Sequence, residues 1–107
     1  IAIIIVELKA LGTLKEFLDF ARIKESPGEY PDDMRMISNL LADHERIIKT
    51  LRTNADECED KHHDMGTNDF LISIMQNHEK MALMLELISI TLNLFFILLK
   101  ALTRKIL

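Results

Sequence analysis

Two stretches of this chain carry apolar residues at intervals of three and four, and that periodicity restricts the fold more than any other feature. In residues 33–58 the stripe is Ile37, Leu41, His44, Ile48, Leu51 and Ala55. A period near 3.6 residues puts all six on one face of an α-helix. From Asn68 onward the pattern returns as Leu71, Ile74 or Met75, His78, Met81 or Ala82, and Leu85. Each stripe has to be buried, and packing helix on helix is the direct way to do it. The expected fold is therefore all-α, a single helical domain over residues 1–107 built as a helical bundle.

The punctuation between the stripes supports that reading. "ESPGEYPDD" at residues 25–33 is a connector, because Pro27 and Pro31 cannot donate backbone hydrogen bonds and Gly28 permits a tight turn. Asp32 or Asp33 then caps the helix over residues 33–58. Before the connector, Gly12 breaks the chain, and Thr13 with Glu16 makes a capping-box pattern for a short helix over residues 13–24 that buries Leu14, Phe17, Leu18 and Ala21. Residues 59–66 form a loop in which Gly66 supplies the turn, and Thr67 and Asp69 start a long helix over residues 67–105. The apolar head at residues 1–11, "IAIIIVELKAL", fits a strand or a helix, and helix is favoured because no second strand pattern follows.

Charge excludes some functions. The net charge of −4 argues against a surface made to grip phosphates, which needs clustered Lys and Arg. Residues 29–64 hold ten acids against five bases, so the middle of the chain is acidic, whereas Leu87 to Leu99 is a run of 13 residues without a charge. That run is short of the roughly 20 apolar residues a transmembrane helix needs, and it carries Ser89, Thr91 and Asn93. A membrane partner is not expected. The head has neither the charged start nor the cleavage site of a secretory signal, and the lone Cys58 suits a reducing cytoplasmic setting.

Candidate chemistry lies with the histidines. His44 in "ADHER" and His78 in "QNHEKM" both fall on the apolar seam beside acids. Helix bundles hold metals with Glu-x-x-His at i and i+3, which puts both ligands on one face. Here Asp43, Glu45 and Glu79 are immediate neighbours, turned about a hundred degrees away from their histidines. Two readings follow: an interior metal held by His44 and His78, or histidines hydrogen-bonded to their neighbours, which the spacing favours. His62 and His63 sit with Asp60 and Asp64 in a solvated loop. Met34, Met75, Met81 and Met84 fall at helical spacing and read as core filling. No phosphate loop, Ser-His-Asp group or Cys-His pair appears, and no catalytic residue is assigned.

The pieces "LGTLKEFL", "PGEYP", "LLADHERIIKTLR", "GTNDFL" and "HEKMALML", within residues 11–85, resemble the C-terminal half of the Dps-type miniferritins, DNA-protecting relatives of ferritin. The resemblance implies a ferritin-like four-helix bundle with a short helix in its middle connection, assembled as a hollow dodecameric homo-oligomer. It implies oxidation of ferrous iron and storage of the ferric mineral, with DNA a partner only indirectly. By the same resemblance Asp64 and Asp69 match acids that line an iron pore. The family's ferroxidase ligands resemble a His on the first helix and an Asp and a Glu on the second, whereas "IAIIIVELKA" offers only Glu7. Leu83 stands where the family has a tryptophan, and an apolar tail of some twenty residues follows. Three accounts of these departures stay open: an engineered or recombined helical bundle without catalytic function, a miniferritin chain whose first half lies elsewhere, and a membrane-associated helical protein flanked by Lys100, Arg104 and Lys105.

Overall fold

The computed structural model of the protein describes residues 10–106, and among them the secondary structure is helical throughout. Three helices occur in this range: α1 (Leu14–Phe20), α2 (Asp33–Asp60) and α3 (Met65–Ile106). The head helix expected near residues 1–9, with Glu7, lies outside the described residues. Accordingly the described residues supply two long helices of the expected four-helix bundle, α2 and α3, and the short connecting helix α1.

Local chemistry explains where the first two helices begin. Thr13 accepts the Glu16 amide at 3.2 Å, and the Glu16 carboxylate accepts the amides of Gly12 at 3.1 Å and Thr13 at 2.9 Å, closing a capping box. These bonds, that from Gly12 first, hold the Glu16 carboxyl below its ordinary range. The helix stops at Phe20, short of the expected residue 24, because Ala21 turns to extended backbone. In the connector, Glu29 donates to Ser26 at 3.2 Å across Pro27 and Gly28, and Gly28 has φ +78°. Pro then Gly at the centre of such a turn is a type II signature. Asp32 caps α2 by accepting the Arg35 amide at 2.8 Å.

Helices α2 and α3 form an antiparallel hairpin, with the stripes foreseen from spacing turned toward each other. Ile37, Leu41, His44, Ile48 and Leu51 are half-buried and Ala55 is buried on α2, while Leu71, Ile74, Met75, His78 and Leu85 are half-buried on α3. The open choice between Met81 and Ala82 resolves for Ala82, which is 9% exposed against 41% for Met81. Small residues at the crossing let the backbones approach, which a methionine there would prevent. Asn68 adds a tie between the helices by donating to the Ala55 carbonyl at 2.8 Å. Arg52 and Glu79 pair at 3.2 Å on the surface, where such an ion pair contributes at most about 1 kcal/mol.

Much apolar surface stays uncovered. The face of α1 expected to be buried is open instead: Leu14 is 89% exposed, Phe17 and Leu18 are exposed too, and so is Ala21. Among the described residues no helix packs over it; the connector just after α1 is what reaches α2, where the Arg46 guanidinium donates to the Arg22 carbonyl at 3.1 Å. Met81 and Met84, expected in the core, are likewise exposed. With 42 residues against 28, α3 outruns α2 by roughly 20 Å at 1.5 Å per residue, and Leu94 through Leu99 lie bare. The radius of gyration is 20.1 Å, whereas a compact chain of this length would have about 13 Å.

Candidate functional site

The hairpin brings together two of the residues singled out from sequence. His44 on α2 and His78 on α3 meet with their Nδ1 atoms 2.9 Å apart and their ring centres 5.1 Å apart, the planes inclined by 50°. Each seam histidine thus finds its partner in the other. One ring carries its proton on Nδ1 and donates, and the other accepts. Their helical neighbours one turn away, Leu41 and Ile48 on α2 and Ile74 and Ala82 on α3, are apolar. Of the adjacent acids, Glu79 is engaged by Arg52 on the surface. Among the described residues no group of three or more His, Cys, Asp or Glu is placed to hold a metal ion.

The other candidates gather at the tip of the hairpin. His62 and His63 are exposed, and His63, not Gly66, makes the turn: it holds φ 50°, while Gly66 lies inside the first turn of α3. Three backbone bonds close the end of α2, from Lys61 to Glu57, His63 to Glu59 and Asp64 to Cys58, at 3.0, 3.2 and 2.8 Å. The helix also starts earlier than residue 67. Asp64 is its cap, accepting the Thr67 amide at 3.0 Å and the Thr67 hydroxyl at 2.6 Å. The Thr67 hydroxyl, then its amide, hold the Asp64 carboxyl below the ordinary carboxylate range, with Gly66 and the nearby His62 assisting.

Asp69 is exposed a turn further on, about 140° around the axis at 100° per residue, so the two acids share an end of the hairpin and not a face. Around them the end of α2 adds Asp56, Glu57, Glu59 and Asp60. Glu57 takes a 3.0 Å bond from Lys61, whose ammonium lowers its carboxyl through that bond and by charge. Asn68 escaped the sequence reading, because an Asn in the first turn of a helix does not announce a partner on another helix.

Comparisons with known proteins bear on these features. The chain is 41% identical over 76 residues to an uncharacterized low temperature-induced protein of Nostoc sp. (strain PCC 7120), a match covering 71% of this chain and 42% of that protein. The homolog of that protein in Anabaena variabilis matches with the same identity and coverage. The chain therefore spans well under half the length of the curated relatives it matches. No solved structure matches it. The family model for the ferritin-like domain matches residues 3–94, most of the chain and both helices of the hairpin up to the bare end of α3, and on that ground the protein belongs to the ferritin-like domain family.

Proposed function

We propose that the chain acts as a Dps-type member of its family, binding and storing iron as a homo-oligomer in the cytoplasm, with α2 and α3 serving as two helices of a four-helix bundle. The observation that carries this reading is the open hairpin: Ala55 and Ala82 are the buried apolar residues among those described, while Leu40, Phe70, Met81, Leu87 and Ile88 lie exposed along it. Two amphipathic helices with so little covered call for further helices against them. Asp64 and Asp69, with the acids at the end of α2, draw cations to one end of the hairpin, since clustered negative charge raises the local cation concentration. The reading assigns no catalytic residue to α1, α2 or α3.

Light scattering after size exclusion, followed by ferrous-iron loading, tests it. A particle near twelve subunits that takes up iron is expected, with uptake slowed several-fold in Asp64→Asn/Asp69→Asn while the particle stays whole. A monomer or dimer that binds no iron would sink the proposal in favour of a helical scaffold.

One observation favours a second reading, association with a membrane. Helix α3 is long and apolar enough to cross one by length and composition, its apolar window is uncovered, and Thr91 and Thr103 return their hydroxyls to the carbonyls of Leu87 and Leu99. Flotation with liposomes decides this: a chain that stays at the bottom of the gradient excludes it.

A further inference from the structure

We infer that His44 and His78 form a two-imidazole site for a divalent ion of the zinc class, which joins α2 to α3. The argument begins from their placement. The residues lie 34 positions apart, on different helices, yet their Nδ1 atoms face each other at 2.9 Å with both rings half-buried. Their surroundings are apolar along both helices, so the pair is a polar point in a seam that leucine would otherwise fill.

The ring positions suit a tetrahedral ion. With metal–nitrogen bonds of about 2.05 Å, two imidazoles at the tetrahedral angle stand with ring centres about 5.2 Å and ligating nitrogens about 3.3 Å apart. The centres already stand at 5.1 Å. Each ring needs only to swing by roughly 35° in place, a motion about the soft terminal torsion of histidine, to open the nitrogens from contact to ligation. The proton balance closes as well. The ring that donates from Nδ1 moves its proton to Nε2, and both Nδ1 lone pairs then face the ion with no net proton released.

The donor set selects the ion. Two neutral imidazoles without a carboxylate suit zinc, copper or nickel and not magnesium or calcium, which require oxygen ligands. Glu79 is turned to Arg52, and Asp43 and Glu45 lie to either side of the seam, so water completes the coordination. The site is distinct from the acids at the hairpin tip, and it stands or falls independently of iron storage.

Zinc chloride added to the chelator-treated chain, followed by calorimetry and thermal melting, tests the inference. One ion per chain and a midpoint that rises with zinc are expected. His44→Gln and His78→Gln should each weaken binding by about tenfold or more. The variant Cys58→Ser/His62→Ala/His63→Ala, which removes the half-buried thiol and the two exposed imidazoles near the turn, should bind as the parent does. Binding unchanged in either glutamine variant, or abolished in the triple variant, overturns the assignment, as does the absence of any thermal shift at millimolar zinc. A readout on the parent chain avoids any folding defect in the variants: two-bond proton–nitrogen NMR should show both rings protonated on Nε2 once zinc is present. A ring that keeps its proton on Nδ1 in saturating zinc overturns it too.

Discussion

The Asp64 carboxylate holds both the amide and the hydroxyl of Thr67, so the first turn of α3 depends on its charge state. Its folded pKa lies below the ordinary value of 3.8, which means the cap contributes stability above that value and loses it as pH falls through the lowered one. Asp64→Asn keeps a capping oxygen but no titration. Acid should therefore loosen the first turn of α3 in the parent and leave the variant unchanged, as measured by amide exchange at Gly66 and Thr67 between pH 5 and about pH 2. Asn68 supports a second residue-level prediction. Asn68→Ala leaves the Ala55 carbonyl without its side-chain donor and should cost about 1 kcal/mol in thermal or urea unfolding. The helix start was partly legible in sequence, which points to Thr67 and Asp69, but the cap is Asp64 and Thr67 is the residue capped. A Thr can cap or be capped, and only the backbone conformation decides which.

At the scale of elements, the α2–α3 crossing rests on small side chains. Ala55 is 3% exposed, and a leucine there would have to displace α3. Ala55→Leu should destabilise the hairpin by about 1–3 kcal/mol, read from thermal melting, because overpacking strains helices in close contact. Helix α1 behaves differently. Thr13→Ala removes one half of the capping box, and since α1 packs against neither long helix, its chemical shifts should move toward coil while the midpoint of the hairpin stays where it was. The capping pattern in the sequence located the start of α1 correctly. Its burial did not follow, because an apolar face at helical spacing shows what a helix could cover and not whether another element comes to cover it.

Over the whole molecule, the decisive property is length without breadth. The chain measures 71 × 32 × 15 Å, and the far end of α3, with Leu94, Phe95, Leu98 and Leu102 each more than half exposed, has no helix of this chain beside it among the described residues. Contiguous apolar surface on that scale drives association in water. Leu94→Lys/Leu98→Lys should lower the mass measured by light scattering toward that of a monomer. A mass unaffected by the two lysines would locate the association on the exposed apolar residues of the hairpin, such as Leu40, Phe70 and Met81, instead. The uncharged run Leu87 to Leu99 was evident in the sequence.

Periodicity, caps and turn residues are local, and the sequence determined by itself what is local: helices over most of the described residues, the capping box at Thr13, the turn at Gly28, and the inward stripes from Ile37 to Ala55 and from Leu71 to Leu85. The tertiary structure alone decided what depends on the register between two helices. Ala82 and not Met81 lies at the crossing, His63 and not Gly66 turns the chain, and His44 meets His78 nitrogen to nitrogen. Spacing along one helix defines a face, but a contact across 34 residues depends on the length of the intervening loop and on how closely the backbones approach, and neither can be read from either helix alone.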